Sequence, residues 1–415
     1  MNRVKRVVKS ILIGFVVSAI IYGASQTLFY YPFLHIKNRI DNSYFKLRYS
    51  IKDPDSYKTD QIVIVDIDDQ TLKELGNFNR FWPRRYFAKV IGNLKSDNAR
   101  LIFLDVFITE SGNFLENKAL ADSIKSAGNV FSGFYLNLDS RGKRQHSVNS
   151  VFNGRFSNWF DFRINEDVDF LQSKSIALSY RDIIRSSKNI GFTNYVPDAD
   201  GVLRHFPLFI EFKQWLIPSA SLQMWLYLKG FDYTNAEISS EGIHFGENFI
   251  PTDNRCFMLI NYQGSRSVYN YISFTNILKG TFETGTFKNK IVMIGSSSPK
   301  LNDIKRIPGR EFIPGVEVHA AALSTILNQD FLTVASEKVI YIIALLCGIF
   351  SSIFFSFVHP IKTGLPFAVG VILLLYIVSI YSFISNSILI NITIPTCVII
   401  VLYIYTIYPL VGRNK

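Results

Sequence analysis

The chain has 415 residues, 48% of them hydrophobic, and carries 44 lysines and arginines against 33 aspartates and glutamates, a formal net charge of +11. Seven of the basic residues lie in the N-terminal tail and beyond residue 339, outside the interval that holds every acid, which leaves 37 basic residues against 33 acids. Residues 10–338 are therefore close to neutral, as ordinary protein surfaces are, and the composition argues against nucleic-acid binding.

Four apolar segments frame this interval, one before it and three after it. They run roughly over residues 10–29, 339–357, 365–384 and 388–410. Each approaches the ~20 residues that a helix needs to cross the hydrocarbon core of a bilayer. None contains an acid, as expected where a buried charge costs several kcal/mol. We predict four transmembrane helices, the last three within residues 337–410.

The positive charges predict the orientation in the membrane. The first nine residues carry four basic side chains, the loop at Lys362 carries one, and residues 411–415 carry two. Basic loops remain in the cytoplasm. We therefore expect both tails, 1–9 and 411–415, inside and the domain of residues 30–336 outside. This predicts a multi-pass protein of the inner (plasma) membrane of the cell with a periplasmic or extracellular domain.

Within the predicted domain, short apolar strands alternate with helices. Residues 34–49 have helical spacing and are expected to extend the first crossing outward as a stalk. The clearest strands are QIVIVDID, ARLIFLDVFI, VFSGFYLNL and NKIVMIGS; the clearest helices are WPRRYFAKVIGNLKSDN, SASLQMWLYLKG and VEVHAAALSTILNQ. Continuous apolar strands separated by helices predict an α/β fold, an open and mainly parallel sheet with helices on both faces.

Two segments depart from this alternation. Residues 190–196 and 203–212 flank the turn PDADG, which predicts a hairpin with Gly201 at positive φ. Residues 139–189 are polar yet rich in Phe and Trp, and so long an irregular segment predicts an insertion or lid. Its aromatic residues either contact a ligand or partner, or pack as a small core of their own.

The order of several motifs resembles that of the type-2 CHASE domain, an extracellular sensory module of bacterial membrane receptors. The stretches that carry the resemblance are IVIVDIDDQTLKELG, WPRRYFAKVIGNL, LIFLDVFITE, VPDADGVLRHFPLF, SFTNILKG, NKIVMIGSSS and IPGVEVHAAALSTIL. The resemblance implies one crossing before the domain, three after it, and a signal passed inward. Members of the family usually continue into a kinase, cyclase or similar output domain. Here only GRNK follows the last predicted span, so we expect a separate output protein.

Acids at the predicted strand ends form the first candidate site. Asp66, Asp68 and Asp69 follow the first strand, and Asp105 follows the second. Ligands of open parallel sheets collect at the carboxyl ends of the strands, where grouped carboxylates could hold a hard cation or a cationic ligand. In the simpler interpretation, they cap the following helices and form salt bridges with the arginines of WPRR.

The serines that follow the strand NKIVMIGS form the second candidate site. The backbone amides of Gly295–Ser298 could cradle an anion, with Ser296, Ser297 and Asp303 as ligand-binding residues. A nucleophilic serine would need a base such as His319, but the Gly-x-Ser-x-Gly elbow is absent and His319 lies in a predicted helix. The chain is therefore expected not to be an enzyme, with no catalytic residue.

The acids of PDADG resemble the start of a calcium loop, but the later ligands of that motif are missing, so no metal and no cofactor is expected. We interpret the chain as an extracytoplasmic sensor that binds a small ligand or an envelope protein. Its expected partners are the membrane, that ligand, a separate kinase, cyclase or other signalling protein, and a second copy in a homodimer. The alternative is an envelope scaffold or assembly factor without ligand-gated signalling.

Overall fold

The computed structural model describes residues 3–27, 29–51, 61–76, 82–108, 113–138, 163–164, 168–213, 215–231, 236–263, 268–309 and 312–411. The chain divides into two compact units. One comprises Met1–Arg48 with Leu332–Lys415, and the other comprises Tyr49–Phe331. After the roles that the sequence analysis predicts for them, we call them the membrane unit and the sensory unit.

The α-helices of the described residues are, in chain order, α1 (Arg3–Gln26), α2 (Tyr30–Ile51), α3 (Asp69–Leu75), α4 (Arg84–Ser96), α5 (Phe114–Ala127), α6 (Arg181–Ser186), α7 (Ala220–Lys229), α8 (Phe274–Lys279), α9 (Gly315–Asn328), α10 (Glu337–Phe357), α11 (Leu365–Asn386) and α12 (Thr393–Val411). A 3₁₀ turn covers Pro299–Leu301, and a short π-helix, Pro360–Gly364, precedes α11.

The strands are β1 (Ile62–Asp66), β2 (Leu101–Leu104), β3 (Val130–Asn137), β4 (Arg163–Ile164), β5 (Gln172–Ser173), β6 (Ser175–Ala177), β7 (Asn189–Phe192), β8 (His205–Pro207), β9 (Phe209–Phe212), β10 (Trp215–Pro218), β11 (Ala236–Ile238), β12 (Gly242–Phe245), β13 (Asn248–Pro251), β14 (Phe257–Leu259), β15 (Asn270–Ser273), β16 (Ile291–Gly295), β17 (Ile304–Lys305), β18 (Ile313–Pro314), β19 (Thr333–Val334) and β20 (Ile388–Leu389).

A mainly parallel sheet forms the centre of the sensory unit, in the order β15-β1-β16-β2-β3. The first half of β3 then pairs in parallel with β7, and its second half pairs antiparallel with β6. Ile62 and Ile64 face a core that includes α7 and α9, whereas Val63 and Val65 face one that includes α4, α5 and α8. Because successive strand residues point to opposite faces, both faces are apolar and covered. The predicted parallel sheet is confirmed.

Local sequence signals set the helix ends. Asp68 accepts a hydrogen bond from the Thr71 amide at 2.7 Å and so caps the N-terminus of α3. Helices α5 and α7 end at Gly128 and Gly230, which adopt the left-handed conformation that glycine reaches without steric cost. These signals explain why the predicted helices lie close to the observed ones.

The predicted hairpin around PDADG is wrong. Strand β7 pairs with β3, whereas β8 pairs antiparallel with β14. The turn itself is present, since Gly201 has φ +75° and its amide donates to the Asp198 carbonyl at 2.8 Å. The flanking segments are both apolar and can each join another strand. Their sequence therefore predicts strands without predicting the partner.

The segment 139–189, predicted as an insertion or lid, is described only in part. Its residues 139–162 and 165–167, with most of its aromatic side chains, lie outside the described residues. At its end, β6 joins the central sheet, and Ile183 and Ile184 of α6 are buried. Phe170 is buried in the α7–α9 side of the core. This end of the segment therefore belongs to the core of the sensory unit rather than to a lid.

In the membrane unit, three described helices are long and apolar enough to cross a membrane: Arg3–Gln26, Glu337–Phe357 and Pro360–Asn386. The fourth predicted span corresponds to a shorter apolar helix, Thr393–Tyr408. It begins later than predicted because Ile388 and Leu389 form β20, which pairs with β19 ahead of α10. The predicted stalk is helical and forms α2, which begins after a break that follows α1.

Small residues bring α1 and α10 together within the membrane unit. A Cβ atom added at Gly14 would lie 2.6 Å from the Gly348 carbonyl oxygen, so a larger residue cannot occupy this position without moving the helices. The Ser18 hydroxyl donates to the carbonyl oxygens of Gly14 and Ala344, at 2.8 and 3.2 Å. Close packing of small residues and such hydrogen bonds are the interactions that hold helices together in lipid.

Candidate functional site

The first predicted site lies where β1 and β16 end side by side. The parallel register places Asp66 opposite Gly295, so the loop after β16 runs past the Asp66 carboxylate. Asp66 accepts hydrogen bonds from the Ser297 amide at 2.8 Å and from the Ser297 hydroxyl at 2.6 Å. Burial raises the pKa of Asp66, although the two bonds from Ser297 act against this rise. The structure thus brings two residues of the separate predicted sites together.

Asp68 and Asp69 make hydrogen bonds that stabilise the N-terminus of α3 and the residues next to it. Asp68 caps the helix and also accepts from the Ser273 hydroxyl at 3.2 Å. Asp69 is exposed and accepts from the Ser298 hydroxyl at 2.7 Å, a bond that lowers the pKa of this carboxyl. Lys300 adds an ion pair at 3.5 Å. These contacts agree with the capping interpretation. Of the two arginines in that interpretation, Arg85 pairs with Glu116 at 2.8 Å.

The loop Gly295–Ser298, here called the serine loop, directs its donors at the protein itself. The Ser296 hydroxyl donates to the Ile67 carbonyl at 2.8 Å, and the Ser298 amide donates to the Ser296 hydroxyl at 3.1 Å. With the two bonds from Ser297 to Asp66 and the bond from the Ser298 hydroxyl to Asp69, these contacts engage all three serine hydroxyls and the amides of Ser297 and Ser298, which were predicted to bind an anion. Oxygens of the loop also accept within the protein, since the Gly295 carbonyl accepts from the Ile67 amide and the Ser298 hydroxyl from the Lys300 amide.

Asp105 lies at the end of β2 and belongs to a second polar group. Its side chain is only 5% exposed, and its Oδ1 atom lies 4.0 Å from His319 Nε2. Burial raises the pKa of Asp105 well above its usual range, and the nearby charge of Asp303 adds to this effect. Burial lowers the pKa of His319 to about 3, and the charge of Lys305 contributes. At neutral pH the pair therefore favours a neutral imidazole beside a carboxyl group whose ionisation is opposed.

Asp303 and Lys305 complete this group from the segment after the serine loop. Their side chains form an ion pair of 3.0 Å, and the Lys305 ammonium lies 4.8 Å from the centre of the Tyr195 ring. A Cβ atom at Gly315 would collide with the Asp303 carboxylate, so a larger residue where α9 begins would displace this side chain. Asp303 therefore packs against the first residue of α9.

A cleft of about 800 Å³ opens at the carboxyl edge of β15 and β16. Its walls include Tyr271, Ser297, Asn302, Phe312, Pro314 and Glu317. The Tyr271 hydroxyl donates to Glu317 Oε2 at 2.8 Å. Burial raises the pKa of Tyr271, and the Glu317 charge raises it further, so the phenol keeps its proton. The volume lies within the roughly 300–1,000 Å³ that small-molecule sites occupy.

The chain matches the family model of the CHASE2 domain over residues 15–354. It belongs to the CHASE2 domain family. CHASE2 domains are sensory domains, so the match and the three apolar helices identify a membrane protein with a sensory domain. The resemblance stated from the sequence is thereby confirmed. Neither a curated protein nor a solved structure matches the chain.

The aspartates of PDADG have a structural role in this CHASE2 domain. The buried Arg204 guanidinium donates to Asp198 at 2.8 Å and to both oxygens of Asp200 at 2.9 and 2.8 Å. His205 Nδ1 lies 2.8 Å from Asp198 Oδ1. Burial opposes ionisation of Asp198, but the bonds with His205 and Arg204 outweigh it and lower the pKa. The charges of this turn are therefore balanced within the domain.

Of the residues predicted to bind a ligand, Ser297 lines the cleft, whereas the wall residues Tyr271 and Glu317 were not predicted. Tyr271 lies on β15, at the same carboxyl edge as the predicted acids. Glu317 is the acid in the first turn of α9. Two sequence signals could have found them. One is the position of Tyr271 near the carboxyl end of β15, because ligands of parallel sheets bind at the carboxyl ends of the strands. The other is the presence of an acid, Glu317, inside an apolar helix.

Proposed function

We propose that this CHASE2 protein is an extracytoplasmic sensor whose cleft binds a small ligand and whose membrane helices relay the binding to an output protein. The observation that carries the proposal is the position of the cleft. It lies at the carboxyl edge of a parallel sheet, where ligands of such sheets bind. The alternative occupant, a segment of an envelope protein, would use the same polar walls. A kinase or cyclase is the output partner that the family resemblance implies.

The proposed topology has four crossings, with both tails in the cytoplasm and the sensory unit outside. The distribution of basic residues supports it, since the first nine residues and the loop at Lys362 are basic and free of acids. It requires the shorter helix α12 to serve as the fourth crossing. A multi-pass protein of the inner membrane, with a periplasmic or extracellular domain, follows from this arrangement.

The proposed relay runs through α9. Glu317 of the cleft lies in the first turn of α9, and residues 329–336 connect this helix to α10, a candidate membrane helix. A ligand can move such a helix only by the difference in its affinity for two arrangements of the protein. A shift from mostly one arrangement to mostly the other needs a difference of about 5 kcal/mol, which a ligand touching both the serine loop and α9 could supply.

We further propose that the chain is not an enzyme. Each serine of the serine loop donates its hydroxyl to a carboxylate or a carbonyl, and none of these bonds involves His319. A serine nucleophile needs a base that accepts its proton, and a wholly buried imidazole beside Asp105 does not meet this requirement.

Cysteine accessibility tests the topology. In a variant without the native cysteines, Glu247→Cys places a thiol at an exposed position of the sensory unit, and Lys362→Cys places one in the loop before α11. A membrane-impermeant maleimide should label the first in spheroplasts and the second only after lysis. The reverse pattern would place the sensory unit in the cytoplasm and end the proposal.

Obstruction of the cleft tests the sensing step. Ile304 lines the cleft, so Ile304→Trp should fill part of it, whereas Phe249→Trp changes an exposed residue of β13. Proteins cross-linked in cells to each tagged full-length variant are then quantified by mass spectrometry. A sensor should change the occupancy of its output partner with Ile304→Trp alone. Equal occupancy in all three proteins would favour the constitutive scaffold.

A further inference from the structure

Both ends of α2 contact the same end of the membrane unit. Residues 358–364 join α10 to α11, so the start of α10 and the last turn of α11 lie together at the opposite end, where β19 pairs with β20. Near the start of α2, Phe33 lines a crevice together with Glu337, the first residue of α10. Near its end, the Arg48 guanidinium donates to the Phe383 carbonyl, in the last turn of α11, at 2.7 Å.

These two contacts determine how α2 runs. At 1.5 Å per residue, Phe33 and Arg48 are about 22 Å apart along the helix. A helix that projected from the membrane unit as a stalk would carry Arg48 about this far from Phe383, which it instead contacts. Helix α2 therefore runs along the end of the membrane unit, at the level where the apolar helices α10 and α11 end.

The charges of α2 are divided between two faces. Its one acid, Asp41, is buried and pairs with Lys37 at 2.6 Å. Three basic side chains, His35, Arg39 and Lys46, are exposed. At about 100° per residue they fall within about 40° of one another around the helix axis. We call these three residues the basic stripe. It is an exposed, acid-free row of basic side chains at the end of a membrane unit.

Exposed aromatic residues lie at the start of the same helix. Phe29, Tyr30 and Tyr31 are 54%, 48% and 69% exposed. Tyrosine is enriched where membrane proteins cross from hydrocarbon to water, because its ring is apolar and its hydroxyl is polar. Basic residues on the polar face of an interfacial helix attract anionic lipids. The aromatic residues and the basic stripe together fit the headgroup layer of a bilayer.

We propose that α2 is an interfacial helix whose basic stripe binds the phosphate groups of anionic lipids in the adjacent leaflet. Arg39 and Lys46 donate to phosphate oxygens, for which charge-assisted bonds are strong. Bound lipid holds the segment that precedes the sensory unit against the membrane surface. The inference goes beyond the proposed function and does not depend on a ligand in the cleft.

Fluorescence quenching in bilayers tests the inference at the stripe itself. Ile36→Trp places a reporter at an exposed position beside His35. The full-length protein is reconstituted in phosphatidylcholine mixed with phosphatidylglycerol, with bromine on the chains of one lipid or the other. The same measurement without Ile36→Trp gives the background from the native tryptophans. Bromine quenches at contact, so the reporter does not sense lipid at the N-terminal tail, where Arg6 lies 5.0 Å from the Phe357 ring centre at the other end of the unit.

We expect phosphatidylglycerol to bind several-fold tighter than phosphatidylcholine beside the reporter, and salt to reduce the preference. A basic residue near an anionic surface contributes about fivefold in affinity, so Arg39→Gln combined with Lys46→Gln should abolish most of the preference. Lys118→Gln combined with Lys125→Gln is the matched control. These lysines are exposed on α5 of the sensory unit with the same spacing of seven residues, and their loss should change nothing.

Three outcomes would overturn the inference. Equal quenching by the two brominated lipids in the protein with an intact stripe would show that the stripe does not select anionic headgroups. Absence of quenching by either lipid would show that α2 lies away from the bilayer. A preference that inorganic phosphate at millimolar concentration removes would assign the stripe to a free anion. The first two need only the reporter protein, and none of the three bears on whether Ile304→Trp changes partner occupancy.

Discussion

Two groups of aspartates in the sensory unit look alike in sequence and differ in electrostatics. Asp198 and Asp200 of the turn share the Arg204 guanidinium, and the pKa of each carboxyl is lowered although burial opposes it. Asp66 and Asp105 end strands of the sheet, and burial raises the pKa of both. Acids whose charge is balanced inside the protein stabilise a fold. At the strand ends, burial outweighs the hydrogen bonds from Ser297 on Asp66 and the charge of Lys305 on Asp105, so these acids favour their protonated form.

We expect the largest effect from a substitution that removes the arginine shared by Asp198 and Asp200. Arg204→Ala leaves two partly buried aspartates without their cation, and breaking a buried ion pair in this way costs about 3–5 kcal/mol. Thermal unfolding of the full-length protein, followed by tryptophan fluorescence, measures the loss. All four tryptophans lie between residues 82 and 225, so the signal reports on the sensory unit.

Arg255→Ala is the matched control for Arg204→Ala. Arg255 pairs with Asp253 at 2.8 Å, but both side chains are well exposed. An exposed pair contributes about 0–1 kcal/mol. Equal losses in the two variants would contradict the view that Arg204 balances a buried group. The stabilisation from Asp198 and Asp200 should also vanish as the pH falls below about 4, through their lowered pKa values.

The second prediction concerns the unbalanced group. Because the pKa of Asp105 is raised in the folded state, ionisation opposes folding at every pH above the unfolded value of about 3.9. Asp105→Asn mimics the protonated acid. Its stability relative to wild type should therefore increase with pH, by about 1.4 kcal/mol for each unit between the unfolded and folded pKa values.

Unfolding of both proteins at pH 5 and pH 8 measures this difference. The pKa of His319 is lowered to about 3 in the folded state, so the free energy of unfolding decreases as the pH falls below about 6.5 and this histidine is protonated in the unfolded chain. The contribution is common to both proteins and cancels from the difference between them. Asp122→Asn, at an exposed position of α5, is the control and should show no such trend. An Asp105→Asn variant that is less stable at pH 8 would show that the carboxylate is ionised and held.

The sequence predicts most of the sheet, because β1, β2, β3 and β16 are continuous apolar runs that only a doubly covered sheet can bury. It does not predict which strand pairs with β7, since apolar periodicity carries no information on partners. The fourth span shortens for a similar reason. Ile388 and Leu389 are apolar enough for a membrane, yet they pair with β19.

The candidate site was predictable only in part. Asp66 and Ser297 both lie at the carboxyl ends of buried strands, where ligands of parallel sheets bind, so the sequence predicts each of them as a site residue. The pairing of β1 with β16 then brings them together, which the sequence does not predict. Tyr271 and Glu317 meet only because α9 begins beside the end of β15, which no local pattern shows. Whether the charge of an acid is neutralised by a basic side chain also depends on the fold. The Arg204 guanidinium, for example, reaches Asp198 and Asp200 because the chain turns at PDADG.

The third prediction tests how much the hydrogen bond from Ser297 to Asp66 stabilises the protein. Ser297→Ala removes the hydroxyl that donates to the Asp66 carboxylate at 2.6 Å. A hydrogen bond to a charged group contributes about 1.5–3 kcal/mol, so we expect a loss near the lower figure because the Ser297 amide still donates. Tryptophan-monitored unfolding measures it. Ser297→Thr keeps the hydroxyl and should restore most of the stability. Failure of this rescue would mean that the bond to Asp66 does not stabilise the loop.

The smallest effect tests whether Asp68 is a binding group or a cap. Asp68→Ala removes the N-cap of α3, which costs about 1 kcal/mol, and Asp68→Asn should keep most of it because an amide oxygen also accepts from the Thr71 amide. Thermal unfolding of the full-length protein measures both variants. A cap needs an oxygen acceptor but not a charge, so Asp68→Asn should be close to the wild-type protein in stability. Since Asp68 accepts from the Thr71 amide and the Ser273 hydroxyl, an equal loss of stability in the two variants would contradict the capping role.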